Sequence, residues 1–187
     1  KGFDAYTEFF QSTHGQLYWS DTSQLSTYNK GYRDFINAKI EFDAPVSLML
    51  SELYTPREKL PEFMAQAADI LRASGIPNIY GTIRMIEKDD ETFLPWAKEN
   101  YACVIFNLLV TNTALGKSKA ADTFRALIDV SIALGGSYYL TYHKWSRKDQ
   151  VLACYEQMPA FLEQKAKYDP NLVFQSDWYR HQHQLLS

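Results

Sequence analysis

The chain has 187 residues, of which 46% are hydrophobic and 15% aromatic, and its formal net charge is −3. Such a composition can fill the core of a single domain, and the slightly negative charge excludes a nucleic-acid binder held by bulk positive charge. Because no apolar run reaches the roughly 18 residues that cross a bilayer, and the first residues lack a secretory signal, we expect a soluble, cytoplasmic protein without a membrane span.

The first 45 residues predict secondary structure that flanks a domain core. A helix is expected around residues 5–10, a short aromatic strand at residues 16–19, and a second helix near residues 24–35. These segments could extend a sheet or bridge to a domain outside this sequence. Because the sequence begins with Lys1 rather than Met, we expect it to be part of a longer polypeptide.

A mostly buried strand is predicted at residues 46–54, followed directly by a helix. Thr55 can cap the first free amides, Pro56 suits the first helical position, and Glu58 can complete a capping box. Gly75 supplies the stop. The apolar stripe of this helix has helical spacing and consists of Leu60, Phe63, Met64, Ala67 and Leu71.

Two further strands are predicted at residues 79–87 and 101–111, separated by a charged loop that contains proline. A helix that opens with Ser118 as its cap and ends at Gly135 and Gly136 should follow. Its apolar stripe comprises Ala121, Phe124, Leu127, Ile128 and Ser131.

The aromatic run SYYLTY at residues 137–142 predicts a fourth strand. Ser146 and Asp149 then predict a capped helix that Pro159 kinks or restarts and that continues to about Lys167. The order from residue 46 to residue 142 is β-α-β-β-α-β. This order predicts an α+β, ferredoxin-like antiparallel sheet with both helices on one face, extended by helical segments at the N-terminal and C-terminal ends.

Polar residues interrupt the predicted strands at Glu52, Arg84 and Asn107, and His143 follows the last strand. If the helices cover one face of the sheet, these interruptions are best accommodated on the other face. Together they would form a polar floor that a ligand or partner must cover, because unpaired buried polar groups are costly. The alternative is a structural Glu52–Arg84 ion pair on a solvated sheet face.

Other candidate sites have less support. The segment 115–118 resembles the end of a phosphate-binding loop, but position 111, where the leading glycine would stand, is Thr. His181 and His183 have no third ligand nearby, so no metal site is expected. Cys103 and Cys154 belong to no C-x-x-C pair and are expected to be reduced and buried, which also argues against a Cys103–His143 nucleophile.

Several segments together resemble one known family. They are residues 15–21 (GQLYWSD), 51–54 (SELY), 80–84 (YGTIR), 138–143 (YYLTYH), and the stretch that runs from 167–170 (KYDP) to 174–178 (FQSDW). They are similar to the C-terminal half of FAD-linked oxidases of the vanillyl-alcohol oxidase superfamily, nearest the sugar-lactone and alditol oxidase branch. The resemblance covers nearly all of the chain, although it offers no counterpart of the family's FAD-binding domain.

The resemblance implies that the sheet roofs the flavin ring of FAD and binds a small sugar or polyol substrate. Arg84 matches the family's arginine on a cap strand, whereas Thr82 stands where the acid would be, and Glu52 could restore that carboxylate. His143 and Lys144 match a family His-Trp-x-Lys segment in altered order, which makes them candidate catalytic residues. His143 and Asn107 are candidate cofactor contacts.

The resemblance further implies that residues 1–187 form a cap or substrate domain, with a core at 46–142 and flanking segments at 1–45 and 146–187 directed toward a missing FAD-binding domain. The predicted function is that of the substrate-binding half of a flavoprotein oxidase or dehydrogenase that acts on CH–OH groups. On its own the chain should have no oxidase activity. The alternative is a non-catalytic ferredoxin-like module that binds a small effector or self-associates through its sheet face.

Overall fold

The computed structural model describes residues 2–17 and 44–187 of the chain, which fall into two compact units, Lys1–Asp43 and Ala44–Ser187. The first unit contains helix α1 (Gly2–Thr13), so the predicted helix at residues 5–10 is confirmed and is longer at both ends. The strand predicted at 16–19 lies partly, and the helix predicted at 24–35 wholly, outside the described residues.

The second unit is the predicted ferredoxin-like arrangement. A four-stranded antiparallel sheet has the order β2-β3-β1-β4, so β3 lies between β2 and β1. The elements in chain order are β1 (Val46–Pro56), α2 (Leu60–Ser74), β2 (Asn78–Ile86), β3 (Tyr101–Thr111), α3 (Ala114–Ala133) and β4 (Ser137–Tyr138). The β-α-β-β-α-β order predicted from the apolar patterns is therefore confirmed.

The helix after β1 begins later than predicted. Thr55 and Pro56 complete β1, with Thr55 opposite Ala102, and a 3-10 turn (Arg57–Lys59) precedes α2. No side-chain cap forms at either start, so the predicted Thr55 capping box is wrong. The strand continues because residues 101 and 102 of β3 offer backbone partners up to Pro56. Gly75 ends α2 in the left-handed conformation, as predicted.

The start of α3 also differs from the prediction. Thr113, not Ser118, is the cap residue, and its hydroxyl accepts a hydrogen bond from the Gly116 backbone N–H at 3.0 Å. Ser118 lies inside the helix. The helix starts earlier because Thr113, two residues after the end of β3, has an extended backbone and a hydroxyl that satisfies the Gly116 amide.

Strand β4 is much shorter than the predicted strand at residues 137–142. Only Ser137 and Tyr138 pair with β1, opposite Tyr54 and Leu53, although the Tyr139 N–H still donates to the Glu52 carbonyl at 2.9 Å. Gly136 permits the close approach to β1, because a Cβ there would overlap the Tyr54 carbonyl.

Three helices follow: α4 (Lys148–Cys154), α5 (Met158–Tyr168) and α6 (Asp177–Leu186). The predicted Ser146–Asp149 capping box is displaced by one residue, since the Arg147 N–H donates to Gln150 Oε1 at 3.0 Å. Pro159 stands in the first turn of α5 and restarts the helix, as predicted. Every helix in the described part of the chain is too short or too polar to cross a membrane.

The main core lies between the sheet and helices α2 and α3. It joins Leu53, Val104 and Phe106 of the sheet to Phe63 of α2 and Phe124 of α3. Both helices thus cover the same face of the sheet. A smaller cluster, which consists of Tyr54, Ala97, Tyr101, Cys103 and Ile105, lies on the opposite face. That opposite face is the one on which the polar side chains remain.

Candidate functional site

Strand register places three of the predicted site residues on the face opposite the helices. On β3, Asn107 lies opposite Leu50 and Tyr80 of the neighbouring strands. Ile105, two residues earlier, lies opposite Glu52, and Cys103, two residues earlier again, lies opposite Arg84. Because side chains two apart on a strand share a face, Glu52, Arg84 and Asn107 lie on one side of the sheet, as their spacing predicted.

Part of this face forms an open cavity of about 300 Å³. Its lining includes both charged residues and three aromatic side chains: Glu52, Arg84, Trp96, Cys103, Tyr139 and Tyr142. Sequence reasoning found Glu52 and Arg84 but missed the aromatic walls. Tyr54 lies beside the cavity. Its position two residues after Glu52 on β1 puts it on the same face, and this spacing could have identified it from the sequence.

The Glu52 carboxylate is the centre of a hydrogen-bond cluster. Oε1 accepts hydrogen bonds from the Tyr54 hydroxyl at 2.8 Å and from the Cys103 thiol at 3.3 Å, and Oε2 accepts one from the Tyr142 hydroxyl at 3.0 Å. These donors hold the carboxylate in one orientation.

Burial and the Glu52 charge act together on the three donors. Burial, then the hydrogen bond and charge of Glu52, raises the pKa of Tyr54 far above its ordinary value. Burial and the same carboxylate raise the pKa of Cys103 to about 12 and that of Tyr142 to about 12. All three groups therefore remain protonated donors at neutral pH, and Cys103 is not a nucleophile.

Arg84 faces this cluster without joining it. Within residues 44–187 no ion pair connects Arg84 to Glu52, so the alternative of a structural Glu52–Arg84 ion pair is wrong. The carboxylate is already occupied by the Tyr54 and Tyr142 hydroxyls, and the arginine side chain is exposed. Its guanidinium can therefore bind a ligand oxygen without first breaking a buried contact.

A tightly folded loop at residues 87–100 carries Trp96 into the cavity wall. The Asp89 carboxylate accepts hydrogen bonds from the backbone N–H groups of Glu91 and Thr92, at 3.1 and 3.0 Å. The Asp89 N–H donates to the Ala97 carbonyl at 2.8 Å, and Ala97 is buried. These bonds close the loop, and the Trp96 ring meets the Tyr54 ring edge-on at 5.7 Å.

His143 lies on the other side of the sheet, which corrects its predicted place in the polar floor. Its ring packs against Phe124 at 4.4 Å and against Trp145 at 5.3 Å, and Phe124 belongs to the core under the helices. The chain turns away from the sheet after β4, and this turn carries His143 toward α3. Burial lowers the pKa of His143 to about 4, so the ring is neutral at pH 7.

Lys144 is also separate from the cavity. Its positive charge acts on α6: the Arg180 hydrogen bond, and then the Lys144 charge, lower the pKa of Asp177, and burial, followed by the Lys144 charge, lowers the pKa of His181. Asn107 remains on the site face, 7% exposed, and its Oδ1 is a buried acceptor without a donor in the described part of the chain. Thr82 shares that face opposite Ile105. Of the five predicted site residues, Glu52, Arg84 and Asn107 thus share the face, whereas His143 and Lys144 do not.

Metal ligands do not converge in the described residues, because no three His, Cys, Asp or Glu side chains there form a group that could hold an ion. Both cysteines are free and buried, as predicted. Comparison with known proteins adds no assignment: no family model matches the chain, and no curated protein matches it significantly. The chemistry of the cavity is therefore the basis for a functional proposal.

Proposed function

We propose that this chain is the substrate-binding half of an FAD-dependent oxidoreductase that oxidises a CH–OH group of a sugar, aldonolactone or polyol. The observation that carries the proposal is one aromatic-walled cavity on the helix-free face, the face of the sheet opposite α2 and α3. This cavity contains the Glu52 carboxylate, which hydrogen bonds hold in place, and the Arg84 guanidinium, which lies outside those hydrogen bonds. The resemblance of residues 80–84 and 138–143 to sugar and polyol oxidases supplies the reaction class.

The side chains around the cavity suit a small molecule with several hydroxyl groups. Such a molecule needs both acceptors and donors, which Glu52 and Arg84 provide, and aromatic rings such as Trp96 and Tyr139 can pack against its C–H face. A hydroxyl of the substrate would replace the Tyr142 hydroxyl at Glu52 Oε2, since that tyrosine is itself exposed to solvent. Binding would then exchange one neutral donor for another.

The helix-free face also fits the flavin that the resemblance implies. When bound, FAD would accept hydride from the substrate carbon. Arg84 would orient the reacting oxygen and stabilise negative charge that develops beside it. Asn107 lies on the same face, and its Oδ1, which has no donor in the described part of the chain, would have to turn outward to accept from an N–H of the ring system. His143 and Lys144 have no part in this proposal, since their side chains lie elsewhere.

The remaining expectations belong to the same proposal. The partner is a FAD-binding domain that the described residues do not include, and a cytoplasmic location is supported by two free, buried thiols, Cys103 and Cys154. Glu52 takes the role of the carboxylate that Thr82 cannot supply. Without the domain that binds FAD, the chain should bind substrate but not turn it over.

The proposal predicts that Arg84→Ala slows substrate reduction of bound FAD by about 100-fold, the typical effect of one removed charge-stabilising donor. The test uses a polypeptide that joins this chain to its FAD-binding domain, mixed anaerobically with sugar lactones and polyols while flavin absorbance is recorded. Arg72→Ala is the matched control, because Arg72 is an exposed arginine on α2 outside the cavity. Unchanged reduction by the Arg84 variant would remove Arg84 from the mechanism.

A second candidate function is a non-catalytic ferredoxin-like module that binds a small effector or self-associates through its sheet face. The observation that favours self-association is the exposure of Leu48 and Tyr80, two large apolar side chains on the same helix-free face. Absence of flavin from the longer polypeptide, together with a concentration-dependent dimer in sedimentation, would favour this function over the oxidase.

A further inference from the structure

A second cavity, of about 370 Å³, adjoins the first and shares two walls with it. Trp96 and Tyr139 line both cavities. The rest of the second lining is mainly aromatic and aliphatic and includes Phe93, Leu94, Leu140, Tyr155 and Phe161. The two cavities are therefore neighbours, with the Trp96 and Tyr139 side chains at their shared boundary.

Three polar groups around the second cavity already have partners. The Tyr155 hydroxyl donates to the Tyr138 carbonyl, and the Thr92 hydroxyl donates to Asp89. The Leu140 carbonyl accepts a hydrogen bond from the Trp178 indole at 3.2 Å. What these residues offer a ligand is consequently apolar surface, in contrast to the Glu52 and Arg84 side chains of the first cavity.

The second cavity is built on ordered supports and opens to solvent. Phe93 is 54% exposed, and its ring lies 6.5 Å from that of Phe161, which in turn packs edge-on against Trp178 at 6.2 Å. The same Asp89 hydrogen bonds that fix Trp96 also fix the part of the loop that precedes Phe93. A preformed apolar cavity of this kind loses little ordering entropy when a ligand enters.

We propose that the substrate has two parts, a hydroxylated head that contacts Glu52 and Arg84 and an apolar, ring-sized substituent that occupies the second cavity. The two volumes together fall within the range of about 300–1,000 Å³ that small-molecule sites occupy. The inference rests on the proposed function and narrows its substrate class. An unsubstituted sugar would leave the apolar cavity unused, whereas a glycoside or ester with an aromatic group would fill both.

The test measures binding by calorimetry to the 187-residue chain, without flavin. Its probes are matched phenyl and methyl glycosides of glucose, galactose and mannose. We expect the phenyl member of at least one pair to bind at least tenfold more tightly than the methyl member. Phe93→Ala should remove most of that preference and leave the fold intact, because Phe93 is exposed. Phe174→Ala is the control, since Phe174 is exposed and lines neither cavity.

Glu52→Gln separates the two parts of the proposal, because it should weaken both members of a pair equally and leave the phenyl preference unchanged. Equal affinity within every pair, no binding by any probe, or a phenyl preference that Phe93→Ala leaves intact would each overturn the two-part substrate. The oxidase proposal is judged separately by flavin reduction in the Arg84 variant, so a failure of one is distinguishable from a failure of the other.

Discussion

The two faces of the sheet use the same strands for different purposes. On the face under the helices, Val104 and Phe106 of β3 pack against Phe63 and Phe124 in a continuous apolar core. On the opposite face lie the alternate residues of β3, Cys103, Ile105 and Asn107, and neighbouring strands add Glu52 and Arg84. A single residue step along β3 therefore separates the core from the candidate site.

The difference indicates which interactions stabilise the fold and which are available to a ligand. Polar groups that are partly removed from water cost free energy unless they are paired, so a face selected for stability alone would carry fewer of them. The helix-free face nevertheless retains a carboxylate with three donors, a free guanidinium and an amide oxygen without a donor in the described residues. Stability comes mainly from the first face, and the second face carries the groups that our proposal assigns to ligand binding.

The strongest way to test this division is to create a cavity under the helices. Phe124→Ala removes a ring that is 0% exposed and should lower the free energy of unfolding by about 3–5 kcal/mol, the usual cost of truncating a buried phenylalanine. Urea denaturation followed by circular dichroism measures this change. Leu115→Ala on the same helix is the matched control, because Leu115 is 79% exposed. Similar losses in both variants would contradict the assignment of the core.

His143 provides a second test, because its ring belongs to the helix side of the molecule. Burial lowers its pKa from 6.5 in the unfolded chain to about 4 in the folded one, so the unfolded chain binds the proton more readily. The resulting stability is fully present above pH 6.5 and is lost as the pH falls through 4. At 1.36 kcal/mol for each pKa unit, the loss amounts to at most about 3 kcal/mol.

His143→Phe should remove this pH dependence and keep the stacking on Phe124 and Trp145. The measurement is the free energy of unfolding of wild type and variant at several pH values between 7 and 4. His183→Gln, at an exposed histidine of α6, serves as the control and should retain the wild-type slope. A variant at position 143 with the wild-type slope would place that ring in water rather than against the core.

Much of the fold was predictable because local patterns agree with the tertiary structure. The stripe through Phe63 and Ala67, the stop at Gly75 and the apolar run of β3 each specify one element, and all are present. The fourth strand was not predictable in its length. The sequence SYYLTY suits a strand, but contacts with distant residues end it, since the Leu140 carbonyl binds Trp178 and His143 packs against Phe124.

The site was predictable to the extent that strand alternation determines it. Alternation separates these positions from the core residues of each strand, and strand register puts Glu52, Arg84 and Asn107 on one face and brings the first two to the same cavity. Alternation contains no information about a loop, so the position of Trp96, which depends on the Asp89 hydrogen bonds, was missed. His143 was misplaced for the same reason, because it follows the strand rather than continuing it.

The smallest predicted effect concerns the pKa of Tyr142 on the helix-free face. Glu52→Gln removes the negative charge beside the Tyr142 hydroxyl, so the pKa of Tyr142 should fall from about 12 toward its ordinary value of 10.0. Burial, the largest cause of the raised pKa, remains in the variant, and the fall should therefore be partial.

Ultraviolet titration of tyrosinate in the wild type, Glu52→Gln, Tyr142→Phe and the double variant isolates this one hydroxyl. Glu62→Gln, a carboxylate on α2 that pairs with Lys59, should leave the titration unchanged. A Tyr142 pKa that does not respond to Glu52→Gln would mean that Glu52 and Tyr142 do not share a hydrogen bond in solution, and the carboxylate would then be open to a ligand without displacing the tyrosine.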